Sequence, residues 1–432
     1  MLAGSFKFFC CNVLNFIRFI LLILIMLTAG CASTPEQTAP LPTAEPPSKI
    51  TAPRTKPAAP IIPATPKAPG KPPVVAATPT NLAASEQQVH ELVLKLLPGR
   101  LKDKEGWAFD LQTAFKALQI QPVAANFCAT IAVIEQESSF QADPVVPGLP
   151  AIIRREIEQR REKYSIPQTV IDWMLTTNSR DGRSFNQRIN ALKTEKELSD
   201  LIEELIDRVP AGKDLFPNYN PVHTGGPMQV SVDFAESHVR ARPYPYTVNG
   251  NLRNEVFSRR GGVYFGSAIL LDYPAPYSDM LYRFADFNAG RYSSRNAAFQ
   301  QALSRLSGRA LLSDGDLLRY KNGNIAPEAS ATLNALRAIN QTLQMSEAEI
   351  QRDLRLEKLS TFSKSPLYNR LFMLADRAGA QPRVVMPQID LKSPKIKRKL
   401  TTEWFANRVN GRYANCLQQK GSVNADTKPI SR

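Results

Sequence analysis

Glu135 and Glu137, separated by one glutamine, close a stretch that reads Ala124, Ala125, Phe127, Cys128, Ala129, Ile131, Ala132, Val133, Ile134. Apolar residues on every side at helical spacing predict a buried central helix, so the two carboxylates stand where a core helix emerges. At about 100° per residue they diverge by about 200°, so at most one of them faces a given cleft. They are not a paired-carboxylate dyad. Whichever lies in the cleft sits at a helix C-terminus, whose dipole opposes negative charge, beside apolar neighbours that solvate a carboxylate poorly; both effects favour the protonated acid. A neutral carboxylic acid near pH 7 is what protonation of a glycosidic oxygen requires. The plainer alternative is a solvated helix end.

The elements that must position this group are helical, and the expected class is mainly α. Ser85 can cap a helix through Leu97, with Val89, Leu92, Val93, Leu96 and Leu97 on one side. A second helix is expected over 107–120, and the apolar one opens at Pro122, a residue suited to a first turn, and runs to about Phe140. Further helical spacing covers 151–164, 167–176, 195–207, 261–273, 279–287, 295–306, 327–343, 346–357 and 365–378, with a terminal helix around Trp404, Phe405, Val409, Tyr413 and Cys416. Strand-like alternation is scarce. No metal-ligand spacing occurs, His90, His223 and His238 being scattered, and neither a metal nor a cofactor is expected.

The first eighty residues speak to compartment. Lys7 and Arg18 precede the apolar run Phe19–Leu27, and Thr28-Ala29-Gly30 then leads into Cys31. That is the order of a secretory signal. The nine-residue run is short of the roughly 20 residues a spanning helix needs. Residues 32–80 hold 14 prolines among 49 residues and no apolar period, which makes them an extended tether rather than a core. Lys and Arg exceed Asp and Glu by 54 − 39 = 15, a surplus that favours a polyanionic partner such as nucleic acid, anionic lipid or acidic cell wall. A secreted chain favours the last two, and no nucleic-acid partner is expected. The basic cluster Lys392, Lys395, Lys397, Arg398 and Lys399 reads most simply as a solvated linker. Once Cys10 and Cys11 leave with a signal, Cys128 and Cys416 remain beside Cys31. They can pair in an oxidising compartment, and Cys128 can equally be a small apolar residue in a buried helix.

Small residues directly before Cys31 resemble the lipobox of bacterial lipoproteins, in which the cysteine becomes the lipidated first residue of the mature chain. Thr28 stands where that pattern more often has Leu, and Ala32 resembles the residue that sends such proteins to the outer membrane. Val133 to Phe140 resembles the motif that carries the catalytic acid of the soluble lytic transglycosylase and goose-type lysozyme superfamily, with the acid mapping to Glu137 and an orienting hydroxyl to Ser138. Gly226-Pro227-Met228-Gln229-Val230 is similar to the segment lining the glycan cleft there, and Asp286-Phe287-Asn288-Ala289-Gly290 to the segment facing the acid. Arg260 to Gly266 resembles the start of the helix between them. The likeness covers about residues 122–305. The whole chain also resembles a family of bacterial lipoproteins known as a domain of unknown function.

The resemblance implies a lysozyme-like helical domain over 84–310 with an insertion at about 145–222, after a signal peptide at 1–30 and a lipidated linker at 31–83; residues 311–432 carry no assignable chemistry. It implies an envelope protein, lipid-anchored on the periplasmic face of the outer membrane. That protein would cleave peptidoglycan glycan strands by lytic transglycosylation, with Glu137 catalytic and Ser138, Met228, Gln229, Tyr264, Phe287 and Asn288 holding sugar. Tyr264 and its neighbour Phe265 can equally be core. Three departures bear on this. Pro227 replaces Leu, Phe287 replaces a tyrosine whose hydroxyl lies near the acid in the family, and 92 residue steps separate Glu137 from Gln229. The charged insertion, with Arg154, Arg155, Arg160, Arg161 and Lys163, is either a solvated helix face or an extra cleft wall. An aspartate able to activate water, Asp143 or Asp286, would instead make a hydrolase. The competing class is a non-catalytic peptidoglycan-binding scaffold on the same fold.

Overall fold

The computed structural model of the protein describes residues 85–208, 220–248, 250–321, 324–391 and 399–423, which belong to one compact unit. The signal segment, Cys31, the proline-rich tether and the cluster Lys392–Arg398 lie outside the described residues. No helix among those described is long and apolar enough to cross a membrane.

The unit is mainly α. Three helices open it: α1 (Glu86–Leu96), α2 (Lys104–Leu118) and α3 (Ala124–Ser138). The Ser85 cap is a full capping box with Gln88, which satisfies otherwise orphaned N-terminal amides. Pro122 lies just outside α3, whose cap is Val123. The stretch after α3 supplies α4 (Leu149–Lys163), α5 (Gln168–Thr176), α6 (Phe185–Ala191) and α7 (Glu195–Asp207). A tight hairpin of β1 (Thr224–Gly225) and β2 (Val230–Ser231) follows, then α8 (Val232–Ala241), α9 (Leu252–Val256), α10 (Arg259–Leu271), α11 (Met280–Ala289) and α12 (Ser293–Ser307). The remainder comprises β3 (Tyr320–Lys321) and β4 (Asn324–Ile325), α13 (Ala331–Ala338), α14 (Asn340–Leu343), α15 (Glu347–Leu354), a 3-10 turn at Ser360–Lys364, α16 (Pro366–Arg377), β5 (Asp390–Leu391), β6 (Leu400–Thr401) and α17 (Thr402–Val423). Helical spacing overlooked α6, α8 and α9, which are short and capped by Ser184, Ser231 and Asn251. It also ran 327–343 together as one helix, whereas Ser330 caps a later start and the chain breaks at Ile339.

Three cores organise these elements. The main one surrounds α3, buried along nearly its whole length, and takes in α1, α2, α10, α11 and, from the far end of the chain, Phe405, Ala406, Val409 and Cys416 of α17. The segment 311–432 is therefore not set apart as a unit. Its last helix packs against α3 and α11 and is joined to α3 by a disulfide between Cys128 and Cys416, which decides the question the cysteine count left open. The α4–α7 segment has its own small core of Val146, Leu149, Phe185, Ile189, Leu192, Leu198 and Leu201, completed by Val222 and, from beyond the hairpin, Phe257. Its start is fastened to the turn between α6 and α7 by the Val145 to Thr194 bridge and by Val146 N–H donating to the Lys193 carbonyl at 2.8 Å. Within it Arg154 bonds Asn190 and Arg161 bonds Glu158. The charge run on α4 is thus a hydrogen-bonded surface.

A third core joins α12 to α13, α15 and α16. Here Arg295, with no exposed surface, gives its guanidinium to the carbonyls of Leu359 and Glu357 and stacks on the rings of Tyr292 and Phe362. The Glu357 carboxylate is equally buried and accepts from the amides of Leu317 and Leu318 and from the Tyr320 hydroxyl. Burial pushes its pKa up to about 7, against the opposing pull of those donors. A carboxyl whose folded pKa lies above its unfolded value binds more protons in the folded state, so stability falls as pH rises from about 4.5 through about 7. We expect thermal melts to lose roughly 3 kcal/mol or less of stability across that window from this group, and Glu357→Gln to flatten the slope there. An unchanged slope in the variant would assign the pH dependence elsewhere.

Candidate functional site

The end of α3 separates the two glutamates as their angular offset requires. Glu135 has a side chain 43% exposed and lies 3.6 Å from Arg412 Nε, whereas Glu137 is only 3% exposed. Beyond them Ser139 and Phe140 take left-handed backbone (φ 50° and 62°), which turns the chain sharply away and lays Phe140 edge-on to Trp107 at 5.3 Å. The Ser138 hydroxyl donates to the Ile134 carbonyl at 3.0 Å, so its proton is committed to its own helix. Gln136, between the glutamates, is 6% exposed and its Oε1 has no hydrogen-bond partner among the described residues. Sequence reading passed over Gln136, since an amide in a helical run carries no signal of its burial.

The Gly226–Gln229 turn is built on close approach. Gly226 has φ 73°, and a Cβ there would meet the Val256 carbonyl at 2.2 Å. Gly262 and Gly266, one turn apart on α10, form a track: Pro227 lies over the first and Met228 over the second. Gln229 closes the turn with a left-handed backbone (φ 51°), its N–H and its Nε2 both donating to the Gly226 carbonyl at 3.1 and 3.2 Å. A buried non-glycine residue held there is a strained feature that the surroundings must enforce. Gly226→Ala is expected to cost about 1–3 kcal/mol, read as a lower urea midpoint at unchanged slope. A midpoint equal to the parent's would mean that the turn does not require this conformation.

The structure revises several sugar-contact assignments. Met228 has no exposed surface and fills the space above Gly266. Tyr264 is also fully buried; its hydroxyl meets His238 Nε2 at 3.2 Å and the Pro243 carbonyl, and its ring packs on Tyr244 and Phe265. Both are core residues. Desolvation holds His238 down at about 4, so it is neutral at pH 7. Asp286 is likewise walled in. It accepts from the hydroxyls of Tyr273 and Tyr277 and from the amides of Tyr292 and Ser294, which ties off the first turn of α12 and leaves no room to activate water. Asp143 is half-buried and bonded to Thr194 at the foot of the insertion, its pKa raised by that burial.

Asn288 ends α11, where its Oδ1 accepts from the Thr402 hydroxyl at 2.8 Å, and Phe287 packs partly buried against the main core. The disulfide gives the register of this contact relative to Glu137. α17 runs antiparallel to α3, with Cys416 beside Cys128 and Arg412 beside Glu135. Glu137 stands nine residues along α3 from the disulfide and Thr402 fourteen along α17 in the same direction, or about 14 and about 21 Å at the helical rise. The Thr402 and Asn288 pair therefore lies just past the end of α3 that bears Glu137. The Gly226–Gln229 turn joins the same core through α10, which packs on α3.

Comparison with known proteins places the chain in a family. A model of that family, described as protein of unknown function (DUF1615), matches residues 100–419, and the chain belongs to it. It is similar to the uncharacterized protein YaiW of Escherichia coli (strain K12), 46% identical over 333 residues, which cover 77% of this chain and 90% of that protein. No solved structure matches it.

Proposed function

We propose that the protein is a lipid-anchored enzyme of the bacterial envelope that cleaves peptidoglycan glycan strands by lytic transglycosylation on a lysozyme-like fold. The observation that carries this reading is Glu137, a carboxyl buried at the emergent end of the central helix. The Cys128 to Cys416 disulfide supports an oxidising compartment, as expected of an exported chain. In this mechanism Glu137 gives its proton to the oxygen linking N-acetylmuramic acid to N-acetylglucosamine. The C1–O bond breaks, and the sugar's acetamido group assists the developing cation. Glu137 then takes the proton of the C6 hydroxyl as O6 bonds to C1, which restores the acid and leaves a 1,6-anhydro end. No water is consumed.

One observation favours a second reading, a wall-binding scaffold without turnover: Phe287 lacks the hydroxyl that the resemblance places near the acid. The soluble chain incubated with purified sacculi separates the two. Release of fragments with anhydro ends, weighed by mass spectrometry, supports the enzyme; hydrated reducing ends indicate a hydrolase; retention on sacculi with nothing released identifies the scaffold.

A further inference from the structure

An open groove of about 380 Å³ lies at the other end of α3, where the end of α2, the first turn of α3, the end of α10 and the start of α11 meet. It contains none of the residues around Glu137. Asn126, on its wall, and Glu137 are eleven positions apart on α3, about 16 Å at the helical rise. The volume falls in the lower part of the range of roughly 300–1,000 Å³ typical of small-molecule sites.

The lining is amphipathic in a way that selects chemistry. Ile120 and Met280 give a partly buried apolar face. Around it stand the amides of Gln121 and Asn126, the latter held by its Nδ2 donating to the Gln121 carbonyl at 3.0 Å. The one acid in the lining, Asp272, is paired with Arg242 at 3.2 Å. Arg283 is different. It is fixed by donating to the carbonyls of Leu270 and Tyr273 and by stacking on the Tyr273 ring at 4.8 Å, and it has no carboxylate within ion-pair distance among the described residues. The groove thus holds one pre-positioned guanidinium outside ion-pair distance of any carboxylate among the described residues, beside amides and a small apolar face.

We infer that this groove binds an N-acetylated saccharide carrying a free carboxylate, of the kind presented by a muramic acid unit stripped of its peptide. The apolar face takes the acetyl methyl, the amides take hydroxyl and acetamido groups, and Arg283 takes the carboxylate through charge-assisted hydrogen bonds. The site shares with the proposed function only the wall glycan as ligand, and it does not depend on Glu137 being an acid catalyst.

The test is calorimetric titration of the soluble chain with three probes: the disaccharide of N-acetylglucosamine and N-acetylmuramic acid, chitobiose, and the same muramyl disaccharide bearing its stem peptide. The free-acid disaccharide is expected to bind on the order of tenfold more tightly than chitobiose, the worth of one charge-assisted contact at a partly exposed site. Arg283→Gln removes that preference and Asn126→Leu, which leaves the arginine untouched, weakens both sugars. Glu135→Gln, at a residue outside both the groove and the proposed mechanism, leaves all three affinities unchanged. The role of Glu137 is read from fragment release on sacculi and the groove from the Arg283 and Asn126 variants, so failure of catalysis and failure of this site read out separately. Equal affinity for chitobiose and the free acid overturns the inference. So do undisturbed binding in both groove variants, binding confined to the peptide-bearing probe, and no binding at all.

Discussion

Glu137→Gln is expected to reduce release of anhydro-ended fragments from sacculi by about 10²–10⁴-fold, the range that a positioned general acid contributes. The substitution is close to isosteric, so a side chain only 3% exposed keeps its packing, and the amide cannot donate a proton to the departing sugar. Far-ultraviolet circular dichroism and the melting midpoint should match the parent, the midpoint within about 2 °C, so that loss of turnover is not loss of fold. Glu135→Gln is the companion control. Its carboxylate faces solvent and Arg412, and release should stay within about twofold of the parent, since exposed ion pairs contribute little. Parental rates of release from Glu137→Gln would sink the assignment, and equal losses from both variants would show that the helix end, and not one proton, is at issue.

The second large effect concerns the disulfide. Cys128 and Cys416, buried and 288 residues apart, close a loop spanning almost the whole described unit. The chain-entropy account gives about 6 kcal/mol for so long a loop, and measured effects of removing native bridges fall near 2–5 kcal/mol. Cys128→Ala with Cys416→Ala should therefore lower the melting midpoint by on the order of 5–15 °C, and a reductant should shift the parent but not the variant. The functional consequence is specific, because the stapled helix begins at Thr402, whose hydroxyl holds Asn288. Turnover in the double variant should fall even well below its midpoint. A melt unmoved by both substitutions would mean that packing alone, through Phe405, Ala406 and Val409, holds α17 on α3.

Short-range patterns carried much of this. Apolar spacing located α3 and placed the glutamates at its mouth. The 200° offset required that they part, and the structure buries Glu137 and exposes Glu135. Ser85 announced the first capped helix, and the structure adds Gln88, three residues on, as the other half of a capping box. Glycines 226, 262 and 266 were visible in the sequence as a composition, and their meaning, a turn seated on a helix face, was not.

What remained belonged to residues far apart in the chain. Which of the two glutamates would be covered, whether Cys128 would meet Cys416, and that α17 would complete the core around α3 all depend on pairings across 100 residues or more. Periodicity is a property of one segment and reports which side is apolar, not what covers it. The same limit misplaced Met228 as a sugar contact and left Tyr264 open between sugar contact and core, since their partners, Gly266 and His238, lie on other elements. The groove at Arg283 had no local signature either: four separate segments build it, and the arginine stands out only because tertiary packing fixes it on the Leu270 and Tyr273 carbonyls with no direct ion pair among the described residues.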